Sequence, residues 1–162
     1  MFNIKKISIV TFIIITMASL TGCQQENYVS TKSGIELQAI QKQEFETSYA
    51  TAFASVLSVF QDKGYIIETA DKDTGFITAA SNKTQGFVMF AGVTVNYLKA
   101  TAFIESMPSS KVGIRLNFVN NQETSDGYGM SGGNSVPVED PEFYQGAFQK
   151  IQKAIFVRES TN

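Results

Sequence analysis

Histidine is absent from this chain, and cysteine occurs only once, as Cys23. Without these side chains the protein cannot build a Ser-His-Asp or Cys-His relay, a zinc site of Cys and His ligands, or a disulfide within the chain. Carboxylate, lysine, serine and tyrosine chemistry stay open, but no spacing in the sequence matches a catalytic relay. The sequence therefore predicts a protein that is not an enzyme and has no catalytic residue, no metal site and no cofactor.

Positive charge is also sparse and scattered. The chain has 13 lysines and arginines against 15 acidic residues, a net charge of −2. The basic residues stand singly between acidic ones, whereas nucleic-acid-binding proteins concentrate them in a stripe or patch. We therefore expect no nucleic-acid partner.

The first 20 residues have the composition of a secretory signal. Lys5 and Lys6 precede an apolar run over residues 7–20, which is interrupted only by hydroxyl side chains. Charge followed by an apolar run is the order of a signal peptide. The run is shorter than the roughly 20 residues that cross a bilayer as a helix, so it predicts a removed signal rather than a permanent anchor.

The apolar run ends at Leu20-Thr21-Gly22-Cys23, which resembles the lipobox of bacterial lipoproteins. The resemblance implies a signal peptide over residues 1–22, a diacylglycerol on the Cys23 thiol, and an acyl chain such as palmitate on its amine after cleavage. One acyl chain holds a protein to a membrane only marginally, whereas two or three make attachment effectively permanent. The alternative is an ordinary secreted protein in which Cys23 is coincidental.

The residue after the cysteine bears on the destination. By resemblance to lipoprotein sorting in Gram-negative envelopes, Gln24 rather than an aspartate at this position implies the outer membrane, with the protein facing the periplasm. The membrane, reached through the lipid on Cys23, is the first expected partner.

The mature chain is expected to hold one domain. Residues 23–34 are polar and predict a flexible tether, and residues 35–158 predict a single folded unit. A chain of this length falls within the usual size of one domain.

Periodicity gives the expected elements. Alternation at Ile35, Leu37 and Ala39 predicts a first strand, and the apolar spacing over residues 48–63 predicts a helix ended by Gly64. Residues 65–70 and 76–81 predict a hairpin. Residues 87–95 and 97–107 are strongly β-forming and predict a second hairpin with residues 112–118, and residues 122–138 predict a loop. Asp140 and Pro141 predict the start of a final helix.

These elements predict an α+β fold with an antiparallel sheet of four to five strands and two helices on one face. Their expected order is β-α-β-β-β-β-α, which buries the apolar stripes of both helices against one face of the sheet.

Three motifs have ordinary structural interpretations. The G-x-G-x-x-G pattern over residues 127–132 lacks the following helix that a dinucleotide site needs, so it predicts a glycine-rich loop. Asp71, Asp73 and Gly75 suggest a calcium loop, but the spacing is wrong and a hairpin turn is expected. The acidic cluster over residues 139–142 is expected to cap the last helix rather than act in catalysis.

Residues 87–93, Phe-Val-Met-Phe-Ala-Gly-Val, form the most apolar stretch of the mature chain. One interpretation is a core strand buried on both faces. The other is an exposed edge or tongue that binds a protein or lipid, with Phe87, Met89 and Phe90 as the contacts.

Several segments resemble a family of small bacterial lipoproteins without assigned activity: residues 40–45, 60–65, 73–79, 141–148 and 155–156. More remotely, the succession of helix, glycine, strand, turn and strand resembles the α+β domains of the C-subunit lipoprotein of the barrel-assembly machinery. These resemblances imply architecture and location but no catalytic residue, because a shared fold does not give function.

We therefore expect a non-enzymatic, lipid-anchored protein that binds another envelope protein through a sheet edge or the apolar stretch. The alternative is a carrier that holds a small apolar ligand between the sheet and the helices, which the thirteen phenylalanines suggest.

Overall fold

The computed structural model describes residues 32–88, 92–125 and 131–161. Every strand in these ranges pairs antiparallel with its neighbours. The predicted α+β class with an antiparallel sheet is therefore confirmed. The elements are, in chain order, α1 (Gly34–Gln41), β1 (Lys42–Glu46), α2 (Tyr49–Asp62), β2 (Ile66–Asp71), β3 (Phe76–Ala80), β4 (Thr84–Val88), β5 (Gly92–Met107), β6 (Lys111–Ser125), β7 (Ser131–Pro137) and α3 (Pro141–Ser160).

The described residues contain more elements than the sequence predicted, seven strands and three helices rather than four to five strands and two helices. The additional elements are α1, β4 and β7. The predicted order β-α-β-β-β-β-α matches the order of the other seven elements, but its first strand was placed at residues 35–39 rather than at β1.

The predicted first strand at residue 35 is wrong, because α1 occupies that position. The Ser33 hydroxyl accepts a hydrogen bond from the amide of Glu36 at 3.3 Å, and the Glu36 carboxylate accepts one from the amide of Ser33 at 2.8 Å. This capping box satisfies two amides at the helix start and outweighs the short apolar alternation that follows. Helical structure therefore begins at Gly34, inside the range predicted as tether.

A long hairpin of β5 and β6 is the centre of the sheet. The two strands pair without interruption from Val93 opposite Ser125 to Met107 opposite Lys111. At about 3.4 Å per residue, β5 is roughly 50 Å long. The flanking strands are much shorter, and two of them lie end to end on each side: β3 and β4 along β5, and β1 and β7 along β6.

The hairpin therefore runs through two parts of one seven-stranded sheet. One part, in the order β1-β6-β5-β3-β2, is called the inner sheet here. The other, called the outer sheet, consists of β4, β7 and the ends of the hairpin that pair with them, residues 92–98 and 119–125.

Helices α2 and α3 pack on one face of the inner sheet and enclose the core. Phe118 lies at its centre, with its ring centroid 4.9 Å from that of Phe143, 5.4 Å from that of Tyr144 and 6.3 Å from that of Phe60. Edge-on contacts of this kind add to the stabilisation from burial. The fully buried side chains from helices and strands include Val56, Phe60, Ile77, Ile104, Ile114, Leu116, Phe118, Tyr144 and Ile151.

Both long helices have the termini that the sequence predicted. Helix α2 is capped by Ser48 and is followed by Gly64, whose φ of 81° is left-handed. The amide of Tyr65 then donates to the carbonyl of Phe60 at 3.0 Å, which closes a Schellman motif. Helix α3 is capped by Asp140, whose carboxylate accepts the amide of Glu142 at 2.9 Å.

Hydrogen bonds of Ser81 and Tyr144 bridge the gaps between the end-to-end strands. Between β3 and β4, Ser81 donates its amide to the Leu98 carbonyl at 2.8 Å, and its hydroxyl accepts the Leu98 amide at 2.9 Å. On the other side, the Tyr144 hydroxyl accepts the Phe118 amide at 3.4 Å. Buried amides without a partner are costly, so these contacts make the inner and outer sheets continuous.

The predicted loop over residues 122–138 is wrong for most of that range. Strand β6 continues to Ser125, and β7 runs from Ser131 to Pro137 in register with it. Strand β7 is rich in glycine, serine and asparagine, which have low strand propensity, and it is held by backbone pairing with the long hairpin.

Candidate functional site

The outer sheet is not covered by a described helix. Strands β4 and β7 make their extensive contacts only with the hairpin and not with a described helix. Both faces of the outer sheet and two of its strand edges are therefore candidates for binding.

The edges of the inner sheet are protected against further pairing. Strand β1 carries Lys42, Glu44 and Glu46, and β2 carries Glu68 and Asp71 with a bulge between Ile67 and Thr69. Charge and bulges on an edge strand oppose the addition of another strand. These two edges are therefore poorly suited to binding.

The edges of the outer sheet lack such protection. Neither β4, with the sequence Thr-Gln-Gly-Phe-Val, nor β7, with Ser-Gly-Gly-Asn-Ser-Val-Pro, contains a charged residue. Both pair in regular register with the hairpin. Since β7 ends in a proline, which cannot donate a backbone hydrogen bond, β4 is the better edge for strand addition.

Phe87 lies exposed on this edge strand. Its exposed fraction is 76%, and its cross-strand partner Val93 is 41% exposed. The interpretation of a core strand buried on both faces is therefore wrong for these residues, and an exposed edge agrees with the structure. Met89 and Phe90, the other two predicted contacts, lie outside the described residues.

A row of uncharged polar side chains crosses the outer sheet. Thr84, Asn96, Gln122 and Asn134 are direct cross-strand partners in sequence, so their side chains share one face. All four are exposed, and none of their side chains makes a hydrogen bond to another described residue. We call this set the polar row.

The opposite face of the outer sheet differs, because several of its polar side chains bond to one another. The Tyr97 hydroxyl donates to the Glu123 carboxylate at 2.9 Å, and Lys83 lies 3.8 Å from the same carboxylate. Ser135 donates to the side-chain oxygen of Asn121 at 2.7 Å. The free amides are thus concentrated on the face with the polar row.

The polar row lines a shallow groove with a volume of about 400 Å³. Asn120 adds a further exposed amide, and Leu98 and Val136 contribute partly buried apolar surface. The groove crosses the sheet from β4 to β7 and has no charged side chain in its lining.

The remaining motifs have structural roles. Asp71 accepts the backbone amides of Asp73 at 2.9 Å and Thr74 at 3.3 Å, and Gly75 has a φ of 79°. The predicted hairpin turn is therefore confirmed. Of the G-x-G-x-x-G pattern, residues 127–130 lie outside the described ranges and Gly132 lies in β7, which is a strand rather than a loop.

The layer between the sheet and the helices is filled by side chains. The core phenylalanines there pack on one another, as the contacts of Phe118 show. A separate groove of about 580 Å³ lies on the outside of the helix pair, between α2 and α3. Its apolar floor is bordered by Lys150, Lys153 and Arg158, and the Arg158 guanidinium donates to Ser58 at 2.5 Å.

The lipobox residues Leu20, Thr21 and Gly22 and the predicted lipid site Cys23 lie outside the described residues, as does most of the predicted tether. In the part of the chain that the structure describes, no helix has the length and apolar content to span a bilayer. Over the same residues, no three side chains of His, Cys, Asp or Glu are grouped as metal ligands.

Comparison of the chain with protein-family models and with curated protein sequences gives no match.

Proposed function

We propose that this protein is a lipid-anchored envelope protein that acts by binding another envelope protein rather than by catalysis. The residues that support the anchor are Leu20, Thr21, Gly22 and Cys23, preceded by a charged and then apolar segment of signal-peptide length. Through lipid on Cys23 the protein is held in the outer membrane, with its domain facing the periplasm.

The observation that supports binding is the unprotected edge of β4 next to the exposed Phe87. An edge strand offers a row of backbone donors and acceptors, to which an extended segment of a partner can add as a further strand. Side chains beside the new strand set its specificity, and Phe87 favours an apolar residue of the partner next to it. A partner segment without charge matches the uncharged sequence of β4.

The lipid anchor is tested by labelling and fractionation. Cells that express the wild type or Cys23→Ser are grown with radiolabelled palmitate, and their membranes are separated by density. We expect label in the wild type only, located with the outer membrane, and release of Cys23→Ser into the soluble fraction. Equal labelling or equal fractionation of the two proteins contradicts the proposed anchor.

The binding edge is tested by site-specific photocrosslinking in cells. A photoreactive amino acid is placed at Gln85 on β4 and, in a separate variant, at Glu68 on the protected edge strand β2. We expect one reproducible adduct from position 85 and none from position 68. The adduct is identified by mass spectrometry and confirmed by crosslinking from the partner.

A pair of substitutions tests whether binding depends on the β4 edge or on any exposed phenylalanine. Phe87→Asp places a charge on the edge, and Phe156→Asp changes a phenylalanine of similar exposure, 70%, on the outside of α3. We expect the position-85 adduct to be lost with Phe87→Asp and kept with Phe156→Asp. Loss in both variants, or in neither, contradicts strand addition at β4.

A further inference from the structure

We propose that the polar row binds an uncharged glycan strand. The inference concerns a different surface from the β4 edge, and it depends on neither the lipid anchor nor the protein partner of the proposed function. It follows from three properties of the groove: its hydrogen-bonding groups, its charge and its shape.

The hydrogen-bonding side chains of the polar row are unused within the described structure. Asn96, Gln122 and Asn134 each carry an amide that can donate and accept, and Thr84 carries a hydroxyl that can do both. Sugar hydroxyls are also both donors and acceptors, so every group in the row can be satisfied by a glycan. On the opposite face, Tyr97, Asn121 and Ser135 already have partners in the protein.

The charge of the groove selects against ionic ligands. A surface that binds a polyanion or polycation carries side chains of the opposite charge, and the lining of this groove has none. A partner strand that carries charged side chains would lose water from them without gaining an ion pair. A neutral polyol has no such cost.

The shape of the groove favours a narrow ligand over a second copy of the chain. The groove is concave, and a narrow chain fits such a surface better than the same face of another molecule does. Since neighbouring strands lie about 4.8 Å apart, the four side chains of the polar row span about 14 Å across the sheet. Leu98 and Val136 supply the apolar floor against which the C–H surface of a sugar ring can lie.

Two glycines lie next to the polar row on the same face of the outer sheet. Gly86 and Gly132 occupy the outer strands in the next row on this face, where a Cβ atom would lie 3.0 Å from the Thr94 hydroxyl and 3.3 Å from the Thr124 hydroxyl.

The test is calorimetric titration of the full-length chain in a detergent without a sugar headgroup. The probes are the neutral hexasaccharides chitohexaose, cellohexaose and maltohexaose. We expect saturable binding of at least one probe, and weakening by about tenfold in Asn96→Ala/Gln122→Ala because two hydrogen bonds are lost. Gln85→Ala removes an exposed amide from the opposite face of β4 and should leave binding unchanged.

The outcomes that overturn the proposal are distinct. Absence of binding for all three probes does so, as does equal binding by the wild type and the double variant. Self-association of the wild type that is lost in the double variant, measured by sedimentation, shows instead that the row pairs two copies. The single variant Asn134→Ala provides an independent measurement if the double variant is unstable.

A separate control distinguishes this inference from the proposed function. Cys23→Ser and Phe87→Asp remove the proposed anchor and the proposed protein contact, and both should bind the glycan as the wild type does. Failure of those variants in cells therefore leaves the glycan inference intact, and failure of the titration leaves the protein-binding proposal intact.

Discussion

Ser81 and Leu98 exchange two hydrogen bonds at the point where β3 ends and β4 begins. The Ser81 amide lies 2.8 Å from the Leu98 carbonyl oxygen, and the Leu98 amide lies 2.9 Å from the Ser81 hydroxyl. Ser81 thus takes the place of a paired strand residue opposite Leu98, because its amide donates one hydrogen bond and its hydroxyl accepts the other. This contact joins the inner sheet, on which α2 and α3 pack, to the outer sheet, whose strands β4 and β7 make their extensive contacts with the hairpin and not with a described helix.

Ser81→Ala should therefore loosen the junction. The half-buried Leu98 amide loses its acceptor, and we expect the free energy of unfolding to fall by about 1 kcal/mol. Hydrogen exchange at the Leu98 amide should quicken more than exchange in α2 or α3. Ser106→Ala is the control. Ser106 is an exposed serine of β5, the strand that also contains Leu98, and its hydroxyl has no partner in the described structure. Equal effects of the two substitutions contradict the role of the Ser81 hydroxyl.

Three glycines should respond differently to alanine. Gly75 has a left-handed φ of 79°, and a Cβ there would overlap the carbonyl oxygen of Ile104, whose amide donates to Gly75 at 2.9 Å. We expect Gly75→Ala to cost about 3 kcal/mol. Gly64→Ala should cost about 1 kcal/mol, because its φ is 81° but the space around it is open.

Gly146→Ala is the matched control for this series. Gly146 lies inside α3 with ordinary helical backbone and open space at its Cβ position. Alanine there should stabilise the protein by about 0.5 to 1 kcal/mol through helix propensity. Chemical denaturation of the four proteins measures the order, and destabilisation by Gly146→Ala equal to that of Gly75→Ala would refute the backbone explanation.

Ser55 is a site where removal of a polar atom should stabilise the fold. Its side chain is fully buried in α2, and its hydroxyl has no hydrogen-bond partner among the described residues. Ser55→Ala keeps the packing and removes an unsatisfied group, so we expect a gain of about 1 kcal/mol. Ser48→Ala, which removes the α2 cap, should instead cost about 1 kcal/mol. Thermal unfolding of both variants checks the opposite signs, and a loss of stability in Ser55→Ala contradicts the prediction.

Acid should weaken the turn that joins β2 to β3. Hydrogen bonds from the Thr74 side chain, the Thr74 amide and the Asp73 amide lower the pKa of Asp71 below its ordinary value of 3.8. The stabilisation from the charged form is therefore complete above the unfolded-state pKa and is lost as the pH falls through the lower folded-state pKa. Carboxyl NMR titration should give a midpoint below 3.8.

Asp71→Asn tests the same contact through stability. The amide oxygen can still accept the backbone hydrogen bonds, but it does not titrate in this range. We expect the stability of the variant to depend less on pH below about 4 than that of the wild type. An unchanged acid dependence would show that Asp71 does not contribute to it.

Local signals in the sequence are sufficient to predict the helices that have both an apolar face and a cap. Helix α2, its stop at Gly64 and the hairpin turn at Gly75 were predicted because apolar spacing and glycine act over a few residues. The start of α3 at Asp140 and Pro141 was predicted for the same reason. The capping box at Ser33 and Glu36 is also a local signal, but the apolar alternation that follows it is typical of a strand.

The polar row could not be predicted, although part of its signal was visible. Asn120 and Gln122 alternate with other residues in a pattern that places both on one face of a strand. Their neighbours Asn96 and Asn134 come from two other strands, and the sequence does not give the register that aligns them. Phe87 is a predicted contact residue, but its sequence context fits either a buried or an exposed strand, because burial depends on which other elements pack against it.

The sequence by itself determined the two long helices α2 and α3, the turn at Gly75, the segment with the pattern of a lipoprotein signal and the absence of histidine chemistry, because each depends on residue identity or on contacts a few positions apart. Only the tertiary structure decided the length of the central hairpin, the strands β4 and β7, and the polar row. Pairing between distant strands is set by backbone hydrogen bonds and shared register, which polar and glycine-rich segments do not encode in their local pattern.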